Sequence, residues 1–247
     1  TPVTSDRATV EFGVNVAYNK NVITKLTAID DPDYEGILTG GIAGGVGSTI
    51  QIHSVGFAPR SFYVLEQMYD ENGNILEDQF VDQNGDGTIN VSDRYRYEKP
   101  AADYTFGFTS RITFDNFDLS FAGRASVGNY IYNNIKTDQG WLNRMYHTAG
   151  TLWNVHQSAV DLNVNEQSSL TFSDHFVTAA DFLKVDHITL GYNFDNLLGK
   201  FFRIYATAQN PFVITGYDGL DPEVFGGIDN NIYPRPRTYV FGLSVEF

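Results

Sequence analysis

The sequence has no cysteine among its 247 residues. Disulfide frameworks, thiol nucleophiles and thiolate metal sites are therefore excluded. It also has no apolar run near the roughly 18 residues that a membrane-spanning helix requires. A helical membrane protein is thereby excluded, whereas a β-barrel is not, because half of the residues of a barrel strand can be polar.

Positive charge is scarce, since 16 Lys and Arg stand against 30 Asp and Glu, a net charge of −14. We expect no nucleic-acid partner, because neutralising phosphates requires Lys and Arg. Catalytic signatures such as G-x-S-x-G are absent, which indicates no enzyme. The histidines show no metal-ligand spacing, which argues against a zinc site. They are His53, His147, His156, His175 and His187.

Alternation of apolar and polar residues is the strongest pattern present. In the final stretch, 237–247, one face collects Tyr239, Phe241, Leu243, Val245 and Phe247, and the other collects Val240, Gly242, Ser244 and Glu246. A period of two predicts a strand with one apolar face. Its length is also that of a strand crossing a bilayer in a barrel, about 9–11 residues.

The same pattern predicts nine strands, with short and long connections in alternation. All eight prolines lie outside them, as ladder hydrogen bonding requires. Outer-membrane barrels place short turns at the periplasmic end and long loops outside, which puts the C-terminus in the periplasm. In a soluble sandwich, nothing requires all long connections to lie at one end. The predicted strands are 8–18, 22–30, 48–56, 61–69, 104–114, 117–127, 182–194, 201–210 and 237–247.

An odd number of strands does not close a bacterial barrel, and an open edge in lipid leaves backbone groups unsatisfied. We therefore expect residues 1–247 to be the C-terminal part of a larger barrel. The start at Thr-Pro-Val, without initiator Met or signal peptide, agrees with a mature or partial chain. Residues 36–47 hold six glycines without a phosphate-loop ending, and we expect a flexible loop there.

Residues 82–93, DQNGDGTINVSD, match the spacing of a twelve-residue calcium loop. Oxygens at its odd positions come from Asp82, Asn84, Asp86, the Thr88 carbonyl and Asn90 through water, and Asp93 closes the site. Gly87 makes the sharp turn at position six. Asp replaces the usual Glu at the last position, and no amphipathic helices flank the loop. We predict a structural Ca²⁺ site, the alternative being a solvated Asn/Asp/Gly turn.

Two further groups lie in long loops. Asp218, Asp221, Glu223 and Asp229 crowd the last loop, where they bind a cation or substrate hydroxyls or are simply solvated. The second group is aromatic and either stacks on cargo or forms the core of its own loop. It consists of Tyr130, Tyr132, Trp141, Tyr146 and Trp153.

Three segments together resemble the SusC/RagA-type TonB-dependent transporters of Bacteroidetes. They are the run from DQNGDGTINVSD through the hairpin YTFGFTSRITFDNFDLSFAGRASV, the run DFLKVDHITLGYNF with FRIYATAQNPFVITGYDGLDPEV, and the ending YPRPRTYVFGLSVEF. The resemblance covers residues 55–247. Residues 1–54 fit only as generic barrel strands.

The resemblance implies an all-β outer-membrane barrel of about 22 strands, of which this chain supplies the last nine or so. It also implies import of a glycan fragment or peptide under a SusD-like surface lipoprotein, driven through TonB. The plug domain and TonB-contacting segment of the family would precede this chain. Loops 128–181 and 211–236 would meet lipoprotein and cargo.

Two rival interpretations remain from the residues alone. One is a secreted, calcium-stabilised β-sandwich that binds carbohydrate. The other is a β-rich glycoside hydrolase using two carboxylates of the 218–229 cluster, which requires them to lie about 5–10 Å apart.

Overall fold

The computed structural model describes residues 3–29, 31, 33–42, 48–146, 148–166, 168–197, 200–230 and 233–246. His147, Phe247 and glycine-rich residues 43–47 lie outside this set. The strands are β1 (Val3–Thr4), β2 (Ala8–Tyr18), β3 (Ile37–Gly41), β4 (Thr49–His53), β5 (Ser61–Val64), β6 (Gln67–Tyr69), β7 (Ile75–Phe80), β8 (Tyr95–Arg96), β9 (Tyr104–Phe114), β10 (Phe117–Val127), β11 (Tyr130–Tyr132), β12 (Val177–Ala179), β13 (Phe182–Leu197), β14 (Lys200–Thr215) and β15 (Thr238–Glu246). The α-helices are α1 (Asn134–Gln139) and α2 (Ser158–Leu162), and short 3₁₀ turns occur at Val91–Asp93, Leu142–Met145, Ser169–Phe172, Asp174–Phe176 and Phe225–Gly227.

One antiparallel sheet, the main sheet, has the strand order β1-β2-β9-β10-β13-β14-β15. Its six long strands are 9 to 16 residues in length. The hairpin of β9 and β10 turns at Asp115 and Asn116, and Phe114 pairs with Phe117. No helix in the described part of the chain is long and apolar enough to cross a membrane.

The main sheet has an apolar face and a polar face along its whole width, because residues in register share a face. On the apolar face, Val10, Ile112, Leu119, Leu190, Ala206 and Phe241 follow one another across the strands. Leu190 is 52% exposed and Phe241 is 82% exposed. On the polar face, Ser120, Thr189 and Thr207 are in register, and the hydroxyls of Thr189 and Thr207 are 2.8 Å apart.

Glycines on the polar face make room for long side chains from neighbouring strands. Arg203 on β14 reaches across Gly191 on β13 to Asp118 on β10, with Nη2 2.7 Å from Oδ1. A Cβ at Gly191 would collide with the Asp118 carboxylate. The Tyr205 ring likewise covers Gly242 on β15. Packing on this face therefore leaves no room for a side chain at either glycine.

The three long connections, residues 19–103, 128–181 and 216–237, all leave the main sheet at the same end. The first two share one hydrophobic core and the third packs on it through Ile228; we call this unit the loop cap. The core contains Ile42, Ile50, Phe62, Val64, Leu65, Phe80, Tyr132, Trp141, Val164, Leu170, Phe176 and Val177. Parallel bridges, Leu65 to Ser173 and Tyr132 to Ile228, tie the connections together.

The structure corrects the predicted count of nine strands in the wall. β2 pairs directly with β9 from Ala8 to Tyr18, so residues 19–103 form one connection instead of contributing the three predicted barrel strands 22–30, 48–56 and 61–69. The described part of 22–30 is irregular, because Ile23 exchanges backbone hydrogen bonds with Gly56 and Phe57 in the cap. β4 and β5 exist near 48–56 and 61–69, but their central residues are buried on both faces within the cap.

Two smaller expectations are also wrong. Residues 37–41 of the glycine-rich stretch form strand β3, which pairs with β4. Pro211 lies inside β14, where the predictions placed every proline outside the strands. The register shifts here, and Asn210 has a φ of 48°. At a bulge the backbone nitrogen does not have to donate a hydrogen bond to the neighbouring strand. The strand therefore continues past Pro211, although proline has no N–H group.

The cleft between the main sheet and the loop cap

Six charged side chains, the ionic cluster, join the last connection to the polar face of the main sheet. They are Arg124, Lys184, Asp186, Asp221, Glu223 and Arg235. Arg124 on β10 donates to Asp186 at 2.6 Å and to Glu223 at 2.7 Å. Asp186 is the extra residue at a bulge in β13, which aims its carboxylate at this guanidinium.

Lys184 is the buried centre of the ionic cluster. Its Nζ lies 3.3 Å from the Asp221 carboxylate and 3.5 Å from Glu223, and the side chains of Lys184 and Asp221 are 6% and 7% exposed. Arg235 approaches the same two carboxylates from the exposed side. Three cations meet three anions, so the cluster is neutral and each buried charge has a partner.

A cleft of about 1000 Å³ opens beside the ionic cluster, between the polar face and the loop cap. The wall contributes Asn15, Thr105, Arg124 and Ser126, and the cap contributes Arg60, Pro100, Phe225 and Arg235. This volume lies at the upper end for small-molecule sites. The cleft can therefore admit a ligand that touches both wall and cap.

The acidic residues of the last loop were predicted as one group, but the structure divides them because they pair with different residues. Asp221 and Glu223 belong to the ionic cluster. The Glu223 pKa lies below its usual value: partial burial works against this, but the hydrogen bond from Arg124 and nearby cations outweigh it. Asp218 is exposed and pairs with Lys136 at 2.8 Å.

Asp229 is fully buried and accepts a hydrogen bond from the Tyr217 hydroxyl at 2.7 Å. Burial raises its pKa, and burial together with the Asp229 carboxylate raises the pKa of Tyr217. The backbone amide of Asp229 donates to the Tyr132 carbonyl. This residue thus joins the last connection to the cap core.

The five loop aromatics divide into two sets. Tyr132 and Trp141 are core members, at 0% and 4% exposure, and Tyr130 packs against the same core. Tyr146 and Trp153 lie largely at the surface, the former being 74% exposed. The structure therefore places Tyr132 and Trp141 in the loop's own core, and leaves surface contact to Tyr146 and Trp153.

Residues 82–93 form a turn whose carboxylates bind backbone amides. Both oxygens of Asp82 accept hydrogen bonds at 2.7 Å, from the amides of Gly85 and Gly87. The hydrogen bond from the Gly87 amide is the largest cause of a lowered Asp82 pKa. Gly87 has a φ of 81°, which confirms the sharp turn predicted there. Asn84 accepts from the Asp86 amide and Asp86 from the Thr88 amide.

Asp93 closes this turn from a fully buried position. Its two oxygens accept from the amides of Gln83 and Asn90, so it joins both ends of the loop. Asn90 accepts from the Ser92 amide. Over the described residues, no three His, Asp or Glu side chains are gathered closely enough to hold a metal ion. An ionised carboxylate oxygen can accept more than one contact, and oxygen atoms are the ligands that hard cations prefer.

Sequence reasoning did not single out Arg124, Lys184, Asp186 or Arg235. Alternation alone places Arg124 and Lys184 on polar faces, and their strands pair. Their partners Asp221 and Glu223 lie 37 and 99 residues away along the chain. Only the tertiary fold brings these charges together.

A sheet with one exposed apolar face, one polar face and long connections at a single end is the wall of a transmembrane β-barrel. Solved structures agree. The chain superimposes on the RagAB peptide transporter with a TM-score of 0.73 at 22% identity, covering 100% of this chain and 28% of that one. The RagAB importer in its open-open state gives a TM-score of 0.68 at 23% identity, covering 100% and 27%.

Sequence relatives identify the family, although no family model matches the chain. The TonB-dependent receptor SusC of Bacteroides thetaiotaomicron is 44% identical over 259 residues, covering all of this chain and 25% of the relative. The TonB-dependent receptor P3 of Formosa agariphila is 27% identical, covering 99% and 27%. The chain belongs to the SusC/RagA-type TonB-dependent receptors and spans about a quarter of the length of these relatives.

Receptors of this family are outer-membrane β-barrels, and the chain is a fragment of such a barrel. The apolar face of the main sheet therefore faces lipid, and the polar face with its cleft faces the interior. Phe, Tyr, Ile and Leu residues predominate on the apolar face, and Thr, Ser, Gly and Arg residues predominate on the polar face.

Proposed function

We propose that this chain is the C-terminal wall and part of the loop cap of a transporter that imports a large nutrient, a glycan fragment or a peptide, across the outer membrane. The whole protein would be a plugged barrel of about 22 strands. The observation that carries the proposal is the ionic cluster. It fixes a cap loop against the interior wall and leaves an open cleft beside it.

In this proposal the loop end of the sheet is extracellular and the C-terminus is periplasmic, since long loops of outer-membrane barrels face outside. A SusD-like surface lipoprotein would cover the exposed parts of the cap, where Tyr146 and Trp153 lie. TonB would act on the barrel's plug and supply the energy. The wall and cap described here would bind and release cargo without covalent chemistry.

The rival interpretations fit the structure less well. A soluble sandwich would cover the apolar face of the main sheet with a second sheet, yet Phe12, Phe241 and Leu243 are 64–82% exposed. A hydrolase using Asp221 and Glu223 would need one of them as a protonated acid. Both carboxylates are ion-paired, and the Glu223 pKa is lowered.

Affinity capture from detergent-solubilised outer membranes, through a tag on this chain, tests the proposal. We expect a full-length receptor with an N-terminal plug to be recovered together with a surface lipoprotein. Uptake of the nutrient that this receptor imports should stop when the TonB protein is deleted. Recovery of this chain alone, folded and soluble without detergent, would contradict the proposal.

The proposal includes structural Ca²⁺ in the 82–93 loop, where Asp82, Asn84, Asp86, the Thr88 carbonyl, Asn90 and Asp93 would supply oxygens. Removing Ca²⁺ from the full-length receptor should lower its thermal stability. At a concentration 100-fold above Kd, bound Ca²⁺ stabilises by about 2.7 kcal/mol. We expect Asp82→Asn to weaken binding at least about tenfold, because it removes one charged ligand. Calorimetric titration with Ca²⁺ measures this.

A matched control exists in the same connection. Asp70 begins a similar turn, DENGN, and accepts hydrogen bonds from the amides of Asn72 and Asn74. That turn repeats the contact of an Asp carboxylate with backbone amides, as in the 82–93 loop, without the full set of oxygens. Asp70→Asn should leave Ca²⁺ binding unchanged. Equal effects of the two substitutions on Ca²⁺ affinity would contradict the metal site. The absence of any heat of Ca²⁺ binding would contradict it as well.

A further inference from the structure

The cleft contains one cation, Arg60, that the ionic cluster does not neutralise. The other two guanidiniums in the lining, Arg124 and Arg235, both bind Glu223 at 2.7 Å. Across the described residues, no carboxylate lies within ion-pair distance of Arg60. Arg60 is exposed, so its guanidinium is open to an anionic ligand that enters the cleft.

The backbone holds Arg60 in an unusual conformation. Its φ is 61°, a region that arginine rarely adopts, and its amide contacts Nδ1 of His53 at 3.3 Å. The neighbouring Ser61 hydroxyl donates to the Ala58 carbonyl at 2.9 Å and closes the turn. Positive φ at a residue with a long side chain has a cost, and such residues concentrate at ligand sites.

Phe225 stands beside Arg60 at the rim of the cleft, with its side chain fully exposed. Two glycines with positive φ, Gly226 and Gly227, follow it. Gln51, a buried residue of β4, donates to the Gly226 carbonyl at 2.7 Å. The cap therefore presents a large aromatic ring to the cleft on a fixed turn.

Other residues of the cleft lining carry amides and hydroxyls. Asn15 and Asn21 line the cleft from the β2 side, with Thr105 on β9 next to them. Amide groups both donate and accept, so they suit sugar hydroxyls. One cation, one exposed ring and several amides match a ligand unit that has an anionic group, an apolar face and hydroxyls.

We propose that the cleft binds an acidic oligosaccharide, with Arg60 holding the carboxylate of a uronic acid unit and Phe225 packing against the apolar face of a sugar ring. This inference rests on the proposed import function and names the class of cargo. A bidentate guanidinium–carboxylate pair gives directional, charge-assisted hydrogen bonds. Asn15 and Asn21 would then contact the hydroxyls of the same or the next sugar unit.

Binding to the purified full-length receptor in detergent tests this, with three probes compared by titration calorimetry. They are an oligogalacturonide, a maltooligosaccharide of equal length and an oligoglutamate peptide. We expect the oligogalacturonide to bind at least about tenfold more tightly than either of the others, and Arg60→Gln to remove that preference. Phe225→Ala should weaken binding of both sugars.

Arg111→Gln is the matched control, because Arg111 lies on the same polar face but outside the cleft lining. It removes the same charge and should leave affinity unchanged. Equal binding of acidic and neutral sugars would overturn the proposal, as would equal loss in the two arginine variants. Tighter binding of the peptide would overturn the sugar assignment. TonB-dependent growth on the cargo is measured separately, so failure of the import function is distinguishable.

Discussion

Lys184→Met is expected to release the last connection from the barrel wall and to destabilise the loop cap by about 3 kcal/mol. The substitution leaves the buried Asp221 carboxylate without its nearest buried cation. Arg235 remains 3.4 Å from Asp221 but is 43% exposed, so its compensation is partial. Hydrogen exchange of residues 216–230 in the full-length receptor measures the effect, and we expect protection to fall there first.

Lys136→Met provides the control for this prediction. It removes the same charge from another lysine–aspartate pair, but the Asp218 side chain of that pair is 89% exposed. Water replaces the lost partner, so the expected cost is below about 1 kcal/mol. Equal loss of protection in the two variants would mean that burial of the Lys184 pair contributes nothing to holding the loop.

Leu190→Arg is expected to be the most damaging single change in the wall. Leu190 lies midway along β13 on the apolar face, between Leu119 and Ala206. An arginine facing lipid near the middle of a barrel costs about 2–4 kcal/mol. Refolding of the full-length receptor into lipid vesicles, followed by urea titration, measures the loss.

The neighbouring substitution, Thr189→Arg, tests whether the effect depends on the face. Thr189 points to the interior, where its hydroxyl meets that of Thr207. Losing this hydrogen bond costs about 1 kcal/mol, and the guanidinium can reach water. If Thr189→Arg proves as damaging as Leu190→Arg, the assignment of the two faces is wrong.

The six long strands of the wall were predictable because each combines strict alternation with a length suited to the bilayer. The predicted number of wall strands was wrong at residues 22–69, where the strand-forming sequence belongs to the loop cap. β5 reads SFYV and is buried on both faces, whereas β2 reads ATVEFGVNVAY and is exposed on its apolar side. Strand propensity does not distinguish these cases, because the difference lies in which partner covers each face.

The cleft could not be predicted for a related reason. Phe225 and Arg60 are 165 residues apart and carry no local motif, and they meet only through tertiary contacts such as that of Gln51 with Gly226. The calcium-like loop is the opposite case, because its ligands and its glycine turn lie within twelve consecutive residues. Its backbone shape was therefore predictable from spacing alone.

The most direct test of the central claim is a spin-label scan of β13 from residue 187 to residue 192 in the full-length receptor reconstituted into lipid. Each position receives a cysteine label, and this chain has no cysteine of its own. Our account predicts that collision with oxygen dissolved in lipid peaks at 188, 190 and 192, while collision with a water-soluble nickel complex peaks at 187, 189 and 191. A scan without this alternation would contradict the assignment of the sheet as a barrel wall between lipid and an aqueous interior.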